Sequence, residues 1–175
     1  MEAARQPDVG MIRRIRLFLV VVMLVVIQTT VFPHLRIFGT MPDLLLLATI
    51  AVAYEEGPDT GAIFGFASGL ALDLFLTTPL GCSALSFAIV GYLVGVFQGG
   101  MLRPSGRVAP ALGFVGGLAG NALFVVIASI AGEDGLLNGH SVKVIIVAAC
   151  YDALLAPLIF PIGRWAAHDP DRLTR

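Results

Sequence analysis

Three polar side chains lie inside long apolar segments of this sequence and are its first candidates for chemistry: Asp73, Asn121 and Asp152. An ionised carboxylate away from water is costly, so it needs a partner, a bound proton or a role in binding. A protonated Asp152 bonded to Asn121 or to Gln28 would be a structural solution, and a proton or substrate site would be a functional one. Asp73 precedes a turn at 77–81, and capping of that turn is the alternative to a functional role.

The chain carries no catalytic, cofactor or metal motif. It has no glycine-rich phosphate loop followed by Lys and Ser or Thr, no G-x-S-x-G and no H-E-x-x-H. Its two cysteines, Cys82 and Cys150, are far apart and form no CxxC pair. A formal net charge of -1 provides no basic excess for nucleic acid. The sequence therefore predicts no enzyme, no cofactor, no metal and no nucleic-acid partner.

Glycines recur at every fourth position before Asp73, and in a helix this spacing places them on one face. In a membrane, such a face lets a neighbouring helix approach closely. A similar pattern recurs in a later apolar segment, through duplication of a helix pair or through independent use of the same packing solution. The predicted helix-packing or partner-contact residues are Gly61, Gly65, Gly69, Asp73, Gly113, Gly117 and Asn121, and Asp152 is predicted as an intramembrane polar residue.

The composition predicts an integral membrane protein, because 57% of the residues are apolar and only 13% are charged. The predicted fold class is all-α, a bundle of six transmembrane helices. The approximate spans are 15–33, 41–56, 60–76, 81–98, 108–131 and 142–162, in a single domain at 11–165 between a disordered cytoplasmic tail at 1–10 and a second cytoplasmic tail at 166–175. The second apolar run is short, about 20 Å against a hydrocarbon core of about 30 Å. It must thin the bilayer, extend through Glu56 or be sheltered by protein.

The positions of the basic residues predict the orientation of these spans. With the N-terminus in the cytoplasm, nine of the eleven Lys and Arg residues fall on the cytoplasmic side, and only Arg36 and Lys143 fall outside. If the second segment did not span, this asymmetry would shrink to about six against five. The sequence therefore predicts a protein of the bacterial inner membrane with both termini in the cytoplasm.

Three groups of residues resemble a known family. They are Pro42–Asp43 with the leucines that follow, the block from Gly57–Pro58 through Gly61, Gly65–Phe66, Gly69–Leu70 and Asp73 to Pro79–Leu80–Gly81, and the segment from Tyr151–Asp152 to Pro157. Together they resemble the rod shape-determining protein MreD family over residues 11–165. The chain departs from that family's pattern at Glu55–Glu56 and at Asp152.

The resemblance implies a non-enzymatic inner-membrane component of the cell-elongation machinery. Such a protein would bind MreC, a single-span membrane protein, and would work with the synthases RodA and PBP2 and indirectly with MreB. The family is also similar in fold to the six-helix substrate-binding subunits of energy-coupling-factor vitamin transporters. The alternative function is therefore a subunit for small-molecule uptake. Its pocket would need convergent polar groups from the outer loops, whereas the short turn at 77–81 favours a filled bundle.

Overall fold

The structure, a computed structural model, describes residues 9–30, 40–75, 79–98, 108–132 and 139–167. These residues form six α-helices and no β-strand, so the all-α part of the predicted fold class is confirmed. The helices are α1 (Val9–Thr30), α2 (Leu44–Glu56), α3 (Pro58–Asp73), α4 (Cys82–Gln98), α5 (Val108–Ile130) and α6 (Gly139–Ala167).

The two predicted tails lie mostly outside the described residues. Helix α1 begins at Val9 and α6 ends at Ala167, so each terminal helix extends two residues into a segment predicted as a tail. Two of the three loops predicted to line an uptake pocket lie at 31–39 and 133–138, outside the described residues, and the third, at 77–81, is described only from residue 79.

Helix α2 is the centre of the bundle. Every residue from Leu44 to Tyr54 is buried, and α2 contacts all five of the other helices. This follows from its sequence, which has no charged residue before Glu55 and therefore no polar face to turn outward. Its 13 residues span about 20 Å, less than the hydrocarbon core of about 30 Å. Because the other helices surround it, α2 is sheltered by protein, which was one of the options predicted for this short segment.

Large apolar side chains cover the outside of the bundle. Phe18, Ile63, Phe97, Ile130 and Leu154 are among the most exposed, each at more than 60% of its surface. Such a surface suits a bilayer better than water, because hydrocarbon chains solvate these side chains without cost.

Among the described residues, two helices are long and apolar enough to cross a membrane: α5, and α6 from Ser141 to Ala167. Helix α4 is apolar but shorter, at 17 residues. The prediction of six complete spans is therefore not established by helix length and composition.

Candidate functional site: glycine interfaces and a buried polar cluster

The glycine face of α3 is packed against α4 and α2. A Cβ added at Gly61 would lie 2.5 Å from the Ala53 Cβ and 2.7 Å from the Gly91 carbonyl oxygen. At Gly69 it would lie 2.5 Å from the Ser83 carbonyl oxygen. At Gly65 it would overlap the Phe87 carbonyl oxygen. No side chain fits between α3 and α4 along this face.

Helix α4 contributes its own glycines to the same contact. A Cβ at Gly91 would meet the Gly61 carbonyl oxygen, and one at Gly95 would meet the backbone of Pro58. The two helices therefore approach each other through backbone atoms, as small residues allow inside membranes. Since Gly61, Gly65 and Gly69 are all buried, this face is used within the chain and leaves no surface there for a partner helix.

Asp73 caps the start of α4. Its Oδ2 accepts hydrogen bonds from the backbone N–H groups of Gly81, at 2.8 Å, and Ala84, at 3.3 Å, and its Oδ1 accepts one from Ser83, at 3.2 Å. The first N–H groups of a helix have no partner within the helix, so a buried carboxylate there satisfies donors that nothing else would. The side chain is 1% exposed. This geometry agrees with the structural alternative considered from the sequence, in which Asp73 caps the turn that follows it.

The glycines of α5 form a second interface. A Cβ at Gly113 would lie 2.8 Å from the Ala156 Cβ of α6, and one at Gly117 would lie 2.5 Å from the Asp152 Oδ2. On an adjoining face of α5, Gly116 and Gly120 admit the side chains of Ile50 and Leu46 from α2. Helix α5 therefore uses small residues against two neighbours at once.

Asn121 does not reach Asp152. Its Nδ2 donates to the Gly117 carbonyl oxygen in its own helix, at 2.8 Å, and its side chain is half-buried. A bond between Asn121 and Asp152, one of the two alternatives considered from the sequence, is therefore not formed.

A buried polar cluster links α1, α2 and α6 at the start of α2. Asp152 Oδ1 accepts a hydrogen bond from the backbone N–H of Asp43, at 2.9 Å. Asp43 is the N-cap of α2, and its Oδ1 accepts from Leu46 N, at 3.1 Å, and from Gln28 Nε2, at 3.2 Å. Gln28 Oε1 accepts from Leu45 N, at 3.2 Å. Gln28 thus reaches Asp152 only through Asp43.

One hydrogen-bond acceptor of the cluster is unsatisfied. Asp152 is fully buried, and its Oδ2 has no hydrogen-bond partner. This oxygen is pressed against Gly117, which leaves no room there for a bound solute or ion. The arrangement can anchor the N-terminus of α2 between α1 and α6, since a buried N–H without an acceptor costs about 1–3 kcal/mol.

Asp152→Asn is expected to be tolerated, with a change of less than about 1 kcal/mol in the free energy of unfolding, because the amide oxygen keeps the bond to the Asp43 N–H. Asp152→Ala is the matched variant that removes this acceptor, and it should cost about 1–3 kcal/mol. Thermal unfolding of the purified protein in detergent measures both. Equal destabilisation by the two variants would show that the carboxyl group itself is required.

Two ion pairs hold the other end of α2. Arg13 Nη1 lies 2.9 Å from Glu56 Oε2, and Arg164 Nε lies 3.2 Å from Glu55 Oε1. These two pairs were not predicted from the sequence. The sequence shows two acids at the end of one apolar segment and an arginine at an end of each of two others. Which of them pair depends on how the helices are arranged in space.

The described parts of the chain contain no group of three or more His, Cys, Asp or Glu residues that could hold a metal ion. The polar residues at depth instead make bonds that position helices.

A protein-family model described as rod shape-determining protein MreD matches residues 11–161. The matched region begins in α1 and ends in α6, and so takes in the polar cluster and both glycine interfaces. No curated protein and no solved structure gives a match to this chain.

Proposed function

The chain belongs to the MreD family of rod shape-determining proteins, and we propose that it is a non-enzymatic scaffold of the cell-elongation machinery in the bacterial inner membrane. MreD is a membrane protein family, and membership implies a role in rod shape determination. The family match carries this proposal, because it covers most of the 175-residue chain.

The proposed scaffold binds MreC, supports peptidoglycan synthesis by RodA and PBP2, and acts indirectly on MreB. The internal use of polar groups supports a scaffold. Asp73 and Asp43 each accept backbone hydrogen bonds at a helix start, and Asp152 joins two helices. The glycine faces of α3 and α5 are likewise closed by neighbouring helices. A single-span partner would therefore meet the larger apolar side chains on the outside.

The proposed topology has six spans and cytoplasmic termini. The basic residues near the start of α1 and near the end of α6, Arg13 and Arg164, both pair with acids at the end of α2. These two helix ends therefore lie on one side of the bundle, as an even number of crossings requires. The burial of α2 from Leu44 to Tyr54 supports its inclusion as a short span, because neighbouring helices surround this apolar part.

The uptake-subunit alternative, which rests on the family's resemblance to energy-coupling-factor subunits, is an outcome of the same test. Such a subunit needs a pocket with convergent polar groups. Asp152, near the middle of α6, is fully buried and lies against Gly117. This packing favours the scaffold.

Co-purification tests the proposal. The tagged protein, co-expressed with MreC, should retain MreC through affinity and size-exclusion steps in mild detergent, while an unrelated single-span membrane protein at the same expression level should not be retained. Asp152→Asn should keep the complex. Saturable binding of a small solute without MreC, lost in Asp152→Asn, would contradict the scaffold and support the uptake subunit.

A further inference from the structure

A groove of about 690 Å³ runs between α1 and α3 on the outside of the bundle. Its walls are apolar: α1 contributes residues that include Leu17 and Val25, α3 contributes residues that include Ile63 and Ala67, and Leu74 and Phe75 follow directly after α3. One end is polar and is formed by Arg13, Arg14 and Thr60. The α1–α3 groove is thus apolar along its length and basic at one end.

The basic end is not fully neutralised by the acids near it. Arg13 pairs with Glu56, yet its Nε is buried without a hydrogen-bond partner. Arg14 is exposed. Asp59 lies nearby in the first turn of α3, but it is exposed and does not line the groove. Two arginines therefore face one paired acid at the mouth of the groove.

The start of α3 adds to the positive potential. Its N-cap is Gly57, which offers no side chain to accept from the first N–H groups of the helix. Thr60 lies in that first turn and lines the groove. Uncapped N–H groups and the helix dipole both favour an anion at this position.

The charge of the groove is confined to one end. The groove follows α1 from Arg13 to Val26 and α3 from Thr60 to its C-terminal end, about 20 Å in each case. Its charged residues, Arg13 and Arg14, both lie at the end near Thr60, and the rest of the lining is apolar. The groove therefore suits a molecule with one anionic end and apolar chains.

We propose that the α1–α3 groove binds an anionic phospholipid, with its acyl chains along the apolar walls and its phosphate at Arg14, Arg13 and Thr60. Basic pockets between membrane helices are suited to anionic headgroups. The phosphate accepts charge-assisted hydrogen bonds from the guanidinium groups. The apolar walls contact the acyl chains of any lipid, so the preference for an anionic headgroup comes from the arginines. This site is independent of the proposed partner and needs only that the bundle lies in a bilayer.

Native mass spectrometry of the purified full chain tests the proposal, with phosphatidylglycerol and phosphatidylcholine of identical acyl chains as probes. The wild-type protein should retain phosphatidylglycerol in preference to phosphatidylcholine. Arg14→Gln should lower that preference about fivefold, because one basic group near the headgroup is removed. Lys143→Gln is the matched control, since Lys143 is an exposed cation of α6 outside the groove, and it should change nothing.

A second variant tests the apolar walls. Ala67→Trp adds a large side chain at an exposed position within the groove and should reduce retention of both lipids, with thermal unfolding unchanged. Equal retention of the two headgroups by the wild-type protein would overturn the proposal, as would an unchanged preference in Arg14→Gln. If Ala67→Trp releases a single-span partner and leaves lipid retention intact, the groove belongs to a helix and the lipid proposal is wrong.

Discussion

Gly65→Leu should leave little or no folded protein, the largest loss expected from any single substitution in this chain. Even the first added atom, the Cβ, would overlap the Phe87 carbonyl oxygen of α4 and would lie 2.8 Å from the Thr49 Cγ2 of α2. Both neighbours belong to helices fixed by further contacts, and so the backbone of α3 would have to move away. Gly65→Ala should cost about 1–3 kcal/mol, the usual range for overpacking.

Fluorescence-detected size-exclusion chromatography of a tagged protein measures this effect as the monodisperse fraction. Ala111→Leu is the matched control, because it places the same side chain at an exposed position of α5. The expected order is wild type and Ala111→Leu together, then Gly65→Ala, then Gly65→Leu. Wild-type behaviour of Gly65→Leu would show that α3 and α4 do not meet through this face.

Asp73→Ala is expected to have the second-largest effect, a loss of at least about 2 kcal/mol in the free energy of unfolding. The substitution removes the acceptor of three backbone N–H groups, those of Gly81, Ser83 and Ala84. The bonds from Ser83 and Ala84 are buried, so water does not replace the lost carboxylate. Thermal unfolding in detergent, with the monodisperse yield, measures the loss.

Asp73→Asn separates hydrogen bonding from charge at this cap. One amide oxygen can still accept from Gly81 and Ala84, but the amide N–H₂ would face the Ser83 N–H. An intermediate loss is therefore expected. Asp59→Ala, an exposed acid at the start of α3, is the control and should be close to neutral. If Asp73→Ala is as stable as Asp59→Ala, the carboxylate does not hold the start of α4.

The sequence predicted local features of this fold well because they depend on neighbours along the chain. Four-residue glycine spacing identified one face of α3, and the polar turn after Asp73 suggested a cap. Which helix would meet the glycine face was not predicted, and the meeting helix is α4 of the same chain. A partner helix therefore has no free surface to contact on the glycine face of α3.

The partners of the deep polar residues could not be predicted because they come from distant segments. Asp152 bonds to the backbone N–H of Asp43, more than 100 residues earlier in the chain. A backbone N–H donor is present in every residue type except proline, so the sequence pointed only to side-chain partners such as Asn121 and Gln28. The burial of α2, in contrast, follows from a short segment without a polar face, and shelter by protein was one of its predicted options.

The buried polar residues and the glycines of this bundle make contacts between its own helices, which leaves the outer surface for contact with other molecules. In the described part of the chain, Asp43 and Asp73 cap helix starts and the central helix α2 is bonded at both ends, so these polar groups position helices. Its outer surface is apolar and built from large side chains. Binding another membrane helix at that surface is the activity that these features support best.

Site-specific photo-cross-linking to MreC in native membranes tests the scaffold most directly. A photoreactive amino acid is placed at one outward position on each of five helices and at one buried position of α2 as the control. The outward positions are Phe18, Phe66, Tyr92, Val115 and Leu158, and the buried position is Leu47. Strong adducts with MreC are expected from one contiguous face of the bundle, and none from Leu47. Weak and equal adducts from every outward position, or no adduct at all, would contradict the proposed scaffold.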